Sequence, residues 1–210
     1  MTARQVILWR HGRTAYNLQL RVQGQVDIEL DEVGEEQVRQ VAPILAQDYP
    51  PDLIVVSDLS RAVRTADALA DLVGLEPIQD ARLRERAFGQ WEGLTREEIE
   101  QQWPGRWDMW RRGPADDDVG IESIDVLAER SIAAITEYCE AVPDGGTLVA
   151  VTHGALTTIA TKVLIGLSTD WHGMVGLANA HFTVLLPSRR GVGSWRVLAH
   201  NVGADPATEG

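Results

Sequence analysis

The amino-acid sequence predicts an α/β fold, a three-layer α/β/α sandwich with a mostly parallel central sheet. Two observations carry that prediction. Short apolar runs of strand length alternate along the chain with longer stretches whose apolar residues recur at helical spacing, and this alternation covers both faces of a parallel sheet with helices. Two of the apolar runs, one near the N-terminus and one at Thr147 to Thr152, break off into a His-Gly turn. Strands of an open parallel sheet end in this way where a ligand binds.

Arg4 to Trp9 is the first strand, followed at once by the polar turn Arg10-His11-Gly12-Arg13-Thr14. Val33, Val38, Val41, Ile44 and Leu45 then repeat near helical spacing from Asp31 to Gln47, and Pro50-Pro51 stops the pattern. Leu53 to Val56 is the next buried strand. A helix from about Leu59 to Leu72, a short strand near Ile78 and helices between Thr95 and Arg112 come after it. Thr95 with Glu98 fits a capping box, and Ser123 caps a long helix reaching Val142. Thr147 to Thr152 leads into a helical stretch ending about Leu164. Phe182–Leu186 and Trp195–Ala199, on either side of Gly191 and Gly193, read as an antiparallel pair. No repeat, linker or low-complexity stretch divides residues 1–210, so a single domain is expected.

Residues 95–123 form a helical, lid-like excursion in this scheme. Trp103, Trp107 and Trp110 fall on one helical face there, and two readings apply: a satellite core that buries the rings, or a lid over the site. The satellite core carries the greater weight, because aromatic stripes usually bury area.

The charge balance narrows the function. Nineteen Lys and Arg oppose 31 Asp and Glu, a net charge of −12, which repels nucleic acid and an anionic membrane surface; neither is an expected partner. Cys139 has no second cysteine to pair with and suits a reducing compartment, and no stretch has the length of a membrane span, so a cytoplasmic location is expected. Of the 19 basic residues all but Lys162 are arginine; codon usage accounts for most of these, and a functional reading is kept for a few, because the planar fork of arginine grips phosphate in two places.

Chemistry concentrates at the two His-Gly turns. If their strands are adjacent, His11 and His153 meet, Gly12 and Gly154 admit a ligand close to the backbone, and helical stretches opened by each turn attract an anion. The run Leu8-Trp9-Arg10-His11-Gly12-Arg13-Thr14-Ala15-Tyr16-Asn17 resembles the signature of the histidine phosphatase superfamily, the phosphoglycerate mutase-like fold. Ser57-Asp58-Leu59-Ser60-Arg61-Ala62-Val63-Arg64-Thr65-Ala66 is similar to a second block of that family. Leu83-Arg84-Glu85-Arg86-Ala87-Phe88-Gly89-Gln90-Trp91-Glu92-Gly93 is similar to a third, and Val151-Thr152-His153-Gly154 to a fourth.

The resemblance implies a phosphomonoester hydrolase that needs no metal and no cofactor and acts on a small phosphorylated metabolite. His11 would attack phosphorus to form a phosphohistidine. Arg10, Arg61, a protonated His153 and the Gly154 N–H would surround the phosphoryl oxygens, and Glu85 would donate a proton to the leaving group and later take one from water. Asn17 and Gln23, with Thr14 beside them, would bind the phosphate. The segment Arg21 to Leu30 is similar to phosphatases of actinobacteria that act on glucosyl-3-phosphoglycerate, and a homodimer is common among relatives. The alternatives are mutase-type phosphoryl transfer between positions of a phosphoglycerate, and a non-catalytic member that only binds phospho-ligands.

Several competing signals fail. Cys139 has Gly145 rather than Arg six residues on, so a cysteine phosphatase loop is absent, and Asp116-Asp117-Asp118 lies after no strand and reads as a solvated acidic turn. His172, His181 and His200 read as structural or solvent-facing.

Overall fold

The computed structural model describes residues 3–112, 117–188 and 195–204. Six strands form one sheet in the order β3-β2-β4-β1-β5-β6: β1 (Gln5–Arg10), β2 (Leu53–Val56), β3 (Ile78–Gln79), β4 (Thr147–Thr152), β5 (Phe182–Pro187) and β6 (Trp195–Val202). The pairings β1–β4, β2–β4 and β2–β3 are parallel, and β1–β5 and β5–β6 are antiparallel. The expected sandwich with a mostly parallel sheet is the fold observed.

Strand pleating sorts the core into two layers. Val6, Leu8, Val55, Leu148 and Ala150 face α6 (Ile124–Ala141) and α7 (Gly154–Leu164), packing on Leu127, Ile135, Leu156 and Ala160. Ile7, Trp9, Ile54, Val56, Val149 and Val151 face α2 (Glu32–Asp48) and α3 (Ser60–Val73), packing on Val38, Leu45, Ala66 and Leu69. The central strands are apolar at nearly every position because both faces are covered.

Local chemistry sets the helix ends. The Asp31 side chain accepts from the N–H of Gly34 and starts α2; Gly74, at φ +70°, takes the left-handed conformation that closes α3. The capping box of Thr95 and Glu98 starts α4 (Arg96–Gln102), and Ser123 accepts from Val126 N–H at the start of α6. The antiparallel pair extends one residue further on β5 and three on β6 than its sequence pattern suggests, and the Gly191/Gly193 turn falls outside the described residues.

The tryptophan stripe lies on α5 (Arg106–Arg112) and just before it. Trp107 stacks on Trp91 with centroids 5.9 Å apart, Trp110 meets Trp91 edge-on at 5.9 Å, and Trp103 packs with them around Trp91, Ile99, Val119 and Ile121. This is the satellite core that the sequence favours, and Phe88 and Trp110 carry one face of it to the candidate site.

Candidate active site

β1 and β4 are parallel neighbours with Arg10 level with Thr152, so the residues that come after them emerge side by side at the carboxyl end of the sheet. His11 and His153 therefore meet, their ring centroids 5.2 Å apart and the planes tilted by 59°. Both are buried. His11 Nδ1 lies 2.6 Å from the carbonyl oxygen of Gly12, which can only accept, so Nδ1 carries the proton and the lone pair of the neutral ring is on Nε2. Burial holds His11 well below the usual imidazole range, and the Arg10 and Arg61 guanidiniums push the same way. The result is a neutral, nucleophilic nitrogen in front of a cavity of about 190 Å³.

His153 differs from the expectation of a protonated ring. Its Nδ1 accepts from Arg61 Nε at 3.3 Å, and its Nε2 is 2.8 Å from Ser57 Oγ, so the proton sits on Nε2 and points at the serine. Burial, then Arg61, His11 and Arg10, hold this ring neutral as well. A second proton would need Nδ1, which the bond from Arg61 Nε already occupies. The two turns also lead into different local structure. His153 caps α7 directly, whereas the chain after His11 turns through Thr14 before the one-turn α1 (Ala15–Leu18) begins, so His11 opens no helix of its own.

The two arginines bring fixed charge. Arg10 Nη1 donates to Leu177 O at 2.5 Å, while its buried Nε has no partner. An orphan donor of this kind beside an anion-sized cavity is satisfied when an oxyanion enters. Arg61 is wholly buried; burial lowers it to about 10, so it stays charged at neutral pH. It donates to Val26 O and Gly24 O, both at 2.7 Å, as well as to His153. Three of its donors thus serve the protein, and it braces the Gly24 turn and His153 in addition to supplying charge.

The polar residues of α1 and the turn after it are wired to one another. Thr14 is buried and accepts from Asn17 N–H, while its hydroxyl donates to Gln23 Oε1 at 2.5 Å. Asn17 Oδ1 accepts from Thr14 N–H and from Asn179 Nδ2 at 3.1 Å. With both amide oxygens occupied, Asn17 and Gln23, which line the cavity, are left with their NH₂ groups as donors, the polarity an anion requires. Thr14 orients them from below rather than lining the cavity itself.

The two glycines have separate reasons. A side chain at Gly12 would strike Gly34 O at 2.6 Å and Val38 Cγ2 at 2.9 Å, so this glycine lets the turn pack on α2 rather than admitting a ligand. Gly154 lies against the Arg10 guanidinium.

Glu85 also lines the cavity. Its Oε2 accepts from Ala155 N–H at 3.0 Å and its Oε1 from Leu156 N–H at 3.2 Å and Arg86 N–H at 2.8 Å. The first-turn donors of α7 are therefore directed at this carboxylate. The flanking arginines are occupied elsewhere: Arg82 pairs with Asp80 and Glu137, Arg84 with Asp58, and Arg86 Nε donates to Glu122 O. Nearby Glu92 is a structural carboxylate that accepts from Gln25 and Phe88 N–H.

The cavity wall is completed by Arg21, Val22, Gly24, Phe88 and Trp110, so the satellite core contributes an aromatic side to the site. Of the three-aspartate turn, Asp116 lies outside the described residues and Asp118 pairs with Arg106 at its exposed surface. Arg64 bridges to Glu35 on α2 rather than along its own helix. Sequence reading missed Ser57, whose role comes from the strand order, and Asn179, which donates to the carbonyls of His11 and Gly12 as well as to Asn17. It also missed Ala180, held at φ +58° while its N–H donates to His11 O. Asn179 and Ala180 carry no local motif, and Ser57, although inside the second block, has no signal there that pairs it with His153.

Comparison with known proteins agrees with this geometry. Residues 6–202 match the histidine phosphatase superfamily (branch 1). The chain is 36% identical over 224 residues to the glucosyl-3-phosphoglycerate phosphatase of Mycolicibacterium vanbaalenii, covering 100% of this chain and 99% of the relative. It is 36% identical over 173 residues to a probable phosphoglycerate mutase of Escherichia coli, covering 78% and 75% respectively. A solved structure of mycobacterial glucosyl-3-phosphoglycerate phosphatase in complex with VO3 superposes with a TM-score of 0.87 at 35% identity, covering 95% of this chain and all of the other. The chain belongs to branch 1 of the histidine phosphatase superfamily.

Proposed function

We propose that this protein hydrolyses phosphomonoesters through a phosphohistidine on Nε2 of His11. The observation that carries the reading is the Nδ1–H bond from His11 to Gly12 O, which leaves Nε2 unprotonated in front of the cavity. Attack by Nε2 on phosphorus breaks the ester bond, and Glu85 passes a proton to the departing alkoxide. Water, deprotonated by the same carboxylate, then displaces phosphate from His11. Arg10 and Arg61, with the amide donors of Asn17 and Gln23, receive the charge on the phosphoryl oxygens.

The substrate class is a small phosphorylated metabolite. Glucosyl-3-phosphoglycerate is the candidate favoured by the names of the mycobacterial relatives, and a cavity with an arginine and two aromatic rings beside the phosphate end suits an ester carrying a polar organic part. We infer a cytoplasmic site of action, supported by the single buried Cys139, whose thiol burial pushes up to about 12, and by the finding that among the described residues no helix is long and apolar enough to cross a membrane. A homodimer is the expected assembly, which sedimentation measures directly.

Acid-quench trapping with a ³²P-labelled ester tests the mechanism. Label on His11, with labelling and turnover both lost in His11→Ala, is expected. Turnover by unlabelled His11→Ala overturns it. Conversion of 3-phosphoglycerate to the 2-isomer faster than phosphate release would instead assign the mutase reaction.

A further inference from the structure

Arg130 lies on α6, outside the four sequence blocks and outside the cavity lining. Its guanidinium has five N–H donors, and the structure supplies five acceptors. Nε donates to Glu122 Oε1 at 2.6 Å, and Nη2 to Glu122 Oε2 and Glu85 O, both at 2.9 Å; Nη1 donates to the carbonyls of Arg82 and Arg84, both at 2.7 Å. Three of these acceptors belong to one stretch of backbone, the 3₁₀ helix Ala81–Leu83 and the two residues after it, Arg84 and Glu85.

We propose that Arg130 is a positioning residue for the Glu85 carboxyl. Glu85 is held at two points. The first turn of α7 fixes its carboxylate through Ala155 and Leu156, and Arg130 fixes its main chain from α6, with Gln25 Nε2 adding a second bond to Glu85 O at 3.1 Å. Glu122 completes the clamp. It bonds Arg130 through both oxygens, accepts from Ala87 N–H at 3.1 Å, and takes Arg86 Nε on its carbonyl at 2.7 Å, so the residues just after Glu85 are tied to the same guanidinium. Both side chains of the ion pair are largely buried, at 17% and 11% exposure, so water does not replace the bonds if one partner is removed. A lysine offers three donors from a single point and cannot serve three carbonyls and a carboxylate in this fork geometry. The proposal rests on Glu85 being the proton donor proposed above.

A positioning role and a merely structural one give different kinetics. Misplacing Glu85 slows release of a poor leaving group, which needs the proton, and spares a good one. Loosening the fold slows both alike. Single-turnover phosphorylation of His11, the step that expels the leaving group, is measured with glycerol 2-phosphate and with p-nitrophenyl phosphate for the full chain and for Arg130→Lys, Glu122→Gln, Glu85→Gln and the double variant Arg130→Lys/Glu85→Gln. Arg130→Lys is expected to lower the phosphorylation rate constant for glycerol 2-phosphate about 10-fold or more, with the half-saturating concentration within about twofold and the rate constant for p-nitrophenyl phosphate within about threefold. Glu122→Gln shifts the ratio in the same direction by less, and serves alone if Arg130→Lys does not fold. In the Glu85→Gln background, Arg130→Lys adds no further difference between the substrates. Equal losses on both substrates, or a selective loss that persists without Glu85, overturn the proposal while leaving the acid assignment intact. An equal effect of Glu85→Gln itself on both substrates overturns the acid assignment first, and the role of Arg130 with it.

Discussion

The guanidinium of Arg10 lies against the Cα of Gly154, and a methyl group added there would stand 3.3 Å from both Cζ and Nε. This contact joins the end of β1 to the start of α7, and it fixes the Nε donor of Arg10 that the fold leaves unpaired. Arg10 cannot retreat freely, because Nη1 is anchored on Leu177 O.

Gly154→Ala is therefore expected to displace the Arg10 head by a few tenths of an ångström and lower kcat/KM by about 10- to 100-fold. Thermal stability should hold, since alanine is a better helix residue than glycine by roughly 0.5–1 kcal/mol. Kinetics and a melting curve on the same sample check this. Unchanged kinetics would mean that the position of Arg10 is immaterial to the reaction.

The elements were legible where periodicity was clean. β1, β2 and β4 are apolar runs that break off into turns, and α2, α3 and α6 show helical spacing, α6 behind a readable cap at Ser123, while the caps at Asp31 and Gly74 emerge only from the hydrogen bonds and backbone of the fold. The site was legible in part. His11, Arg10, Glu85, Asn17 and Gln23 reach the cavity wall, whereas Arg61, His153, Thr14, Gly12 and Gly154 support it. That division depends on which donor faces which carbonyl, and a one-dimensional pattern does not contain it. The protonation of His153 escapes the sequence for the same reason: the bond from Arg61 Nε occupies the nitrogen that a second proton would need. Arg130 and Asn179 act through contacts 45 and 168 residues away in the chain, at Glu85 and His11, and no local motif marks them.

Acid should destabilise the fold through the two buried histidines. Both are held neutral well below the ordinary imidazole value of 6.5. Above that pH the folded and unfolded chains carry the rings in the same neutral form. As pH falls below it, the unfolded chain binds two protons that the folded chain excludes, and each costs up to about 1.4 kcal/mol of stability per pH unit. Urea unfolding between about pH 7.5 and 5 is expected to show this decline, with a shallower slope in His153→Asn. Identical slopes would mean that His153 titrates normally in the folded protein.

Activity should survive chelation. Arg10 and Arg61 already place two guanidinium charges at the site, the role that a divalent ion plays in other phosphoryl-transfer enzymes. Turnover of p-nitrophenyl phosphate after exhaustive dialysis against EDTA should equal that of the untreated protein. Activity lost on dialysis and restored by one divalent ion would assign part of the charge to a metal.

Glu85→Gln should separate the two halves of the reaction. In the first half the carboxyl gives its proton to the leaving oxygen. An alkoxide cannot depart without it, and general acid catalysis of that kind contributes roughly 10²–10⁴-fold. A nitrophenolate is stable enough to leave alone, so single-turnover phosphorylation of His11 should fall steeply for an alkyl phosphate and little for p-nitrophenyl phosphate. In the second half the leaving group has gone, and the same carboxylate takes a proton from water. That step is common to both esters, so the variant should slow it equally for each, and p-nitrophenyl phosphate should release a burst of phenolate before slow turnover sets in. Steady-state rates alone would hide the distinction, because slow dephosphorylation limits both substrates. The glutamine keeps an acceptor oxygen for Ala155 and Leu156 N–H but brings an NH₂ against one of the donors that now meet Oε1 or Oε2, so a melting curve must accompany the kinetics. A folded variant that forms phosphohistidine equally slowly from both esters would show that the proton comes from another group.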